Sequence, residues 1–280
     1  MKNPKKRTER LQIYSISILF ITLVSVFLWN IMAERTAGST RKQVSILQEK
    51  QIYHPPLQKD NPLIQKKKQE REEQLKAKQE AEDMGKKIVY LTFDDGPSGA
   101  SSSILEQLQN YDAKATFFYL EPNMEKYKTI VKEAYKHGHS IGLHGVTHDV
   151  KQVYATSSSV VNEMEKTNEE LEQIIHQKSM LIRTPYGSKP YMNEEYLNKV
   201  KKAGYILWDW NIDSRDWYYG DKRYVTDTIN QLKHVNHSKV VILLHDRQTT
   251  AQYLGLLLQY LQKEDYEFRA INEELIPVHF

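Results

Sequence analysis

Apolar residues gather in six short runs, at 88–93, 115–120, 140–144, 180–183, 205–210 and 240–245. The first of them, Ile88-Val89-Tyr90-Leu91-Thr92-Phe93, does not alternate apolar with charged positions, so it predicts a strand covered on both faces. Between the runs, apolar positions recur at helical spacing. Val160, Val161, Met164, Leu171, Ile174 and Ile175 mark a helix over 158–177. Weaker patterns predict helices over 125–137, 193–202, 224–234 and 251–263. Strands alternating with helices imply parallel pairing and an α/β architecture. Six or seven such units in roughly 190 residues predict a barrel with fewer strands than the eight-stranded type, which needs about 250.

The pattern upstream of residue 87 is different. Residues 11–33 carry no charge, and as a helix they would span roughly 35 Å, enough for a bilayer core. Lys2, Lys5, Lys6, Arg7 and Arg10 precede this stretch, so residues 1–10 are expected in the cytoplasm and the rest of the chain outside. A cleaved signal peptide has a shorter apolar region, about 7–15 residues. The expectation is therefore an uncleaved, single-pass anchor. Residues 34–86 form a spacer. Pro55, Pro56 and Pro62 interrupt it early, and from 65 to 83 it is dominated by Lys, Glu, Gln and Arg, which predicts a solvated single helix or a tether. The folded domain is expected over 87–280.

Charge sharpens this division. The first 86 residues hold 17 basic and 10 acidic side chains, and the remainder holds 22 and 26. The overall +3 is thus a basic front end joined to a mildly acidic body, which argues against nucleic acid as a partner. The chain has no cysteine, which excludes disulfides, thiolate metal sites and thiol nucleophiles. An exported domain of this composition relies on its core.

Candidate chemistry sits just after the predicted strands, where barrels build their functional face. Asp94-Asp95-Gly96-Pro97 ends the first strand. One carboxylate of such a pair can hold a metal while its neighbour faces a water, although Asp, Gly and Pro also simply favour turns. His144 and His148 follow the third strand and converge if the turn between them is helical. With one carboxylate they would form a set that suits zinc with an open position, and non-haem iron as well. Arg183 ends a buried run and requires a carboxylate partner, and Pro185 and Gly187 fix the turn around Tyr186. Trp210 and Trp217 lie among Asp209, Asp213 and Asp216, a composition suited to sugar rings and equally to a core tryptophan with surface acids. His245 closes a very apolar strand, either as a proton donor or as a packed histidine.

Taken singly these signals are weak. In this order, each at a strand end, they resemble the polysaccharide deacetylase family, the NodB-homology enzymes of carbohydrate esterase family 4, over residues 87–280. The resemblance implies a distorted (β/α) barrel of about seven strands. It implies a metal held by Asp95, His144 and His148, usually Zn2+, with Co2+, Ni2+ or Fe2+ as alternatives. It makes Asp94 the general base and Arg183 its partner, gives the Tyr186 N–H to the oxyanion, and makes His245 the acid, oriented by Asp213. Leu243 becomes the wall for the acetyl methyl and Trp217 the groove aromatic.

The implied reaction removes N-acetyl groups from a glycan and releases acetate. The expected substrate is peptidoglycan N-acetylglucosamine. Chitin oligomers, poly-N-acetylglucosamine, muramic acid and acetylxylan are the alternatives within the family. A catalytically silent glycan-binding protein on the same fold would lack a base, an acid or a ligand, and none is missing. An iron oxygenase would leave His245 unexplained. Two positions depart from the family pattern: Gly145 stands where Ser or Thr is common, and Asp149 where many members have Pro. Loss of the hydroxyl is expected to loosen the loop that carries the histidines.

Overall fold

Strand β1 (Lys87–Asp94) is buried at every position after Lys87, as its unbroken apolar run predicts. It pairs along its length with β7 (Lys239–His245) on one side. On the other side it pairs with β2 (Ala115–Leu120) from Leu91 onward and with β8 (Tyr266–Phe268) over residues 87–89. The parallel sheet continues outward through β3 (Ser140–Gly145), β4 (Leu181–Ile182) and β5 (Ile206–Leu207) beyond β2, and through β6 (Ile212–Asp213) beyond β7. Among the described residues no ladder joins β5 to β6, so the sheet is an open, curled barrel. The strands nearest the gap are two residues long, too short to close it.

The structure is a computed structural model that describes residues 62–235 and 239–280. The chain falls into two units, 1–67 and 68–280, and the second contains the sheet. The charged stretch forms helix α1 (Pro62–Asp83), whose described lysine and glutamate side chains are exposed. No helix among the described residues is long and apolar enough to cross a membrane, and the predicted span at 11–33 lies outside them.

Helices α2 (Ser101–Asn110), α3 (Glu121–Lys126), α4 (Lys128–Lys136), α5 (Val150–Val153), α6 (Ser157–Ile175), α7 (Glu194–Lys202), α8 (Asp216–Tyr219), α9 (Arg223–Leu232) and α10 (Gln248–Lys263) fill the crossovers. Several differ from the pattern read in the sequence, among them the four-residue helices α5 and α8, which were not expected. The helix expected over 125–137 is two helices, because Tyr127 leaves helical geometry at φ −122° and ψ 43°. Helix α2 was not expected, although Ile104, Leu105 and Leu108 give it a buried face.

The two faces of the sheet divide the work. Along β1, Val89, Leu91 and Phe93 join one apolar cluster, while Ile88 and Tyr90 join another with Phe118, Leu181, Trp208, Val241 and Ile271. Side chains alternate along a strand. Thr92 and Asp94 therefore continue the row of Ile88 and Tyr90, Leu243 and His245 continue that of Val241, and Arg183 continues that of Leu181. His144 lies across from Ile141 and Leu143, which belong to the first cluster. The polar residues at the strand ends thus converge on one face at one end of a parallel sheet.

Candidate active site

Asp94 is the last residue of β1, and its Cα is paired in register with that of His245. Its Oδ1 lies 2.9 Å from Nη1 of Arg183. Arg183 is fully buried. It also donates to Thr92 Oγ1 at 2.7 Å, Trp208 O at 3.1 Å and Asp209 O at 2.9 Å, and its guanidinium faces the rings of Phe118 and Trp210. A buried cation this fully satisfied is fixed in place, and it holds the Asp94 carboxylate with it.

Asp95 turns away from the strand at φ +70°. Its carbonyl accepts from Asn123 Nδ2 at 2.7 Å. The next residue must be glycine, since a Cβ on Gly96 would run into the Asp246 carboxylate and the Tyr119 ring. Asp246 in turn accepts from Ser98 Oγ and Ser101 Oγ at 2.7 and 2.6 Å. So braced, Asp95 directs Oδ1 to 3.4 Å from His144 Nε2 and 3.3 Å from His148 Nε2.

The three residues fit a metal ion. Their ligand atoms lie within 4.8 Å of one another. Asp95 Oδ1 is buried and has no hydrogen-bond partner, an arrangement that is costly without a cation. The Nδ1 of His144 is 2.7 Å from Arg183 O, and a carbonyl only accepts, so Nδ1 carries the proton and the Nε2 lone pair faces Asp95. Burial opposes a charge on His144, yet the carboxylates of Asp94 and Asp95 pull its pKa up, so the pocket attracts positive charge. Burial and then the charge of His144 push His148 down, leaving it neutral and able to donate a lone pair. Burial pushes Asp95 up, but the neighbouring histidines outweigh it and hold the carboxyl well below the usual range. The turn between the histidines is not helical. Strand β3 runs through Gly145, and His148 returns at φ +50°.

Tyr186 has φ +66° in a turn closed by Gly187 N–H to Thr184 O at 3.0 Å. Its hydroxyl donates to His148 O at 3.1 Å, and the two rings lie 4.7 Å apart. Its own N–H takes no part in closing the turn. Leu243 is buried and in register with Thr92 and Asp213. Trp217 is 53% exposed, with Tyr218 beside it.

The residue that orients His245 is Asp216, not Asp213. Asp216 Oδ1 is 2.7 Å from His245 Nδ1, and Asp216 Oδ2 accepts the His245 backbone N–H at 2.7 Å and the Thr250 hydroxyl. Asp213 Oδ1 instead accepts the Arg215 N–H at 2.9 Å, a local turn. Arg215 then takes a left-handed conformation, φ +56°, and starts helix α8, which carries Asp216 inward. Spacing alone does not separate two aspartates three residues apart; the signal was that only a short helix after Arg215 buries one of them. Burial lowers the His245 pKa, but the hydrogen bond and charge of Asp216 more than reverse this, and the net shift is upward. Asp149, the other departure from the family pattern, caps α5 by accepting from Lys151 and Gln152 N–H at 2.7 and 3.3 Å.

Residues 81–208 match the polysaccharide deacetylase family. The chain is 43% identical over 209 residues to the Bacillus subtilis protein YheN, covering 73% of this chain and 74% of that one. It is 37% identical over 201 residues to a peptidoglycan-N-acetylglucosamine deacetylase of Bacillus cereus, covering 70% and 73%. Among solved structures it is similar to a polysaccharide deacetylase from Bacillus cereus, with a TM-score of 0.65, 36% identity and coverage of 70% of this chain and 97% of that one. The catalytic domain of a peptidoglycan N-acetylglucosamine deacetylase from Eubacterium rectale superposes with a TM-score of 0.64 at 27% identity, covering 70% and 94%. With the strand-end residues in place and relatives this similar over most of their length, the chain belongs to the polysaccharide deacetylase family, the NodB-homology hydrolases of carbohydrate esterase family 4.

Proposed function

We propose that the protein is a zinc-dependent deacetylase of peptidoglycan N-acetylglucosamine. The observation that carries this reading is the grouping, at one end of the sheet, of a three-residue cation site with an Arg-held carboxylate on one side and an Asp-held histidine on the other. A zinc ion at Asp95, His144 and His148 would acidify a water and polarise the acetamide carbonyl. Asp94 accepts the proton of the attacking water, and Arg183, 2.9 Å from its Oδ1, keeps the carboxylate aimed. The Tyr186 N–H donates to the oxygen that gains charge as the carbonyl carbon becomes tetrahedral. His245, doubly protonated, gives its Nε2 proton to the departing amine, since a free amide anion leaves very poorly. The C–N bond breaks, and acetate and a glucosamine unit result. Leu243 supports the acetyl methyl and Trp217 packs on a sugar ring.

The test is acetate release by the full chain from peptidoglycan, chitin oligomers, poly-N-acetylglucosamine and acetylxylan, with zinc content measured alongside. Peptidoglycan should be the preferred substrate, and His148→Ala should lose most zinc and most activity together. Stoichiometric zinc in that variant, or acetate from acetylxylan alone, would overturn the reading.

The uncharged stretch at 11–33 and the basic residues before it support a membrane-anchored protein whose catalytic domain faces outward. Cell fractionation should place the protein with the membrane, and extracellular protease should digest the domain on intact protoplasts. Recovery from the medium with a start near residue 34 would refute this.

A further inference from the structure

The loop between the two histidines lacks the hydroxyl common at position 145, yet it is not loose. Glu163, on the facing side of helix α6, reaches into it. Its Oε2 accepts the N–H of Val146 at 2.6 Å and of Thr147 at 2.9 Å, and its Oε1 accepts the Thr147 hydroxyl at 2.9 Å. Three hydrogen bonds to one carboxylate, two of them from successive backbone amides, are charge-assisted and directional. Gly145 makes room for this arrangement. It sits at φ +98°, and a Cβ there would come within 3.0 Å of Glu163 Oε2. A side chain at 145 would thus meet both a strained backbone and the carboxylate.

Resting on the metal reading above, we infer that Glu163 is a positioning residue for that site: it fixes the segment 145–147 so that His148 stands opposite His144 at the Asp95 carboxylate. The reasoning follows the loop in order. His144 is held by β3 and by its bond to Arg183 O, so its place does not depend on the loop. His148 lies beyond the end of the strand in a left-handed conformation, φ +50°. Among the described residues its backbone is tied at one point, its carbonyl, which accepts the hydroxyl of the half-exposed Tyr186. The amides on its N-terminal side end on Glu163. Without that carboxylate the two N–H groups turn to water, and the loop samples conformations in which His148 is withdrawn. Groups that orient a ligand indirectly in this way typically change metal affinity by about 10–100-fold.

The experiment measures zinc affinity by chelator competition on the full chain, with thermal melting of the metal-free protein and acetate release as further readouts. For Glu163→Ala we expect zinc to bind about 10–100-fold more weakly and activity to recover most of its loss when zinc is raised to saturation. Glu163→Gln keeps one oxygen that accepts from Val146 and Thr147 but cannot accept the Thr147 hydroxyl on its nitrogen, so it should lie between the parent and Ala. A merely structural role would lower the melting temperature and leave the zinc affinity of the folded fraction unchanged. Zinc binding by Glu163→Ala as tight as the parent, or a loss that Glu163→Gln does not partly restore, overturns the inference. Should Glu163→Ala not fold, Glu163→Gln decides alone: binding several-fold weaker supports the role, and binding equal to the parent overturns it. A parent chain that binds no zinc overturns the metal site itself, an outcome distinct from the others.

Discussion

Asp94→Asn is expected to slow deacetylation by about 10²–10⁴-fold while zinc stays bound, the loss typical when a general base is removed. That range corresponds to roughly 3–5 kcal/mol of barrier. The neighbouring substitution, Asp95→Asn, should instead weaken zinc binding, because Asp95 Oδ1 is the oxygen that faces both histidines. Two adjacent aspartates can differ so sharply because Asp94 ends the strand on its inner row, held by Arg183, whereas Asp95 leaves the strand at φ +70°. Breaking a buried ion pair by removing one partner can cost about 3–5 kcal/mol of stability, so melting must be followed as well. Asn retains an oxygen to accept from Arg183 Nη1, and the other Arg183 donors keep Thr92, Trp208 and Asp209. The fold should therefore survive, and the rate should fall far more than the folded fraction. Loss of zinc from Asp94→Asn would reassign the two carboxylates.

The second large effect concerns the acid. His245→Ala should retain zinc and lose about 10²–10⁴-fold on amide substrates. It should lose much less on acetate esters with good leaving groups, which depart without a proton. The pH profile locates the partner. The Asp216 carboxylate raises the His245 pKa against its burial. The active form of the acid is protonated, so activity is full below that pKa and falls as pH rises through it. Asp216→Asn removes the charge, lowers the His245 pKa and moves the alkaline limb to lower pH. The variant should be closest to the parent in acid and furthest from it above neutrality. Asp213→Asn should leave the limb in place, because the Asp213 carboxylate bonds within its own turn, to the Arg215 N–H, and not to His245. A shifted limb in Asp213→Asn with none in Asp216→Asn would reverse the assignment.

The contrast between these two aspartates marks where the sequence stopped being readable. Long strands such as β1, β2 and β7 were legible because burial on both faces leaves a continuous apolar run. Asp94 and His245, at the ends of β1 and β7, were legible with them, and His144 and Arg183 were legible from the apolar runs at 140–144 and 180–183 that they close. Strand β6 and helix α8 were not, since two and four residues are too few for any period. Their geometry depends on Arg215 adopting a left-handed conformation, which nothing in an arginine announces. Glu163 was hidden for another reason. It lies in the middle of a helix among Glu165, Glu169 and Glu172, and only the packing of α6 against β3 reveals which glutamate meets the loop. The expected loosening at Gly145 took account of the missing hydroxyl and not of a carboxylate arriving from 18 positions along the chain.

The pairing of Asp94 with His245 in one register of β1 and β7 bears on how the enzyme could be retargeted. Their separation is set by the spacing of adjacent strands, about 4.7–4.9 Å, rather than by any connecting segment. Grafting segments such as 187–193 or 217–222 from a relative could therefore change which sugar is gripped while the distance across the scissile bond is inherited from the sheet. A single-residue insertion within β7 would have the opposite result. By turning every later side chain to the other face, it would point His245 away from Asp94 and into the apolar layer.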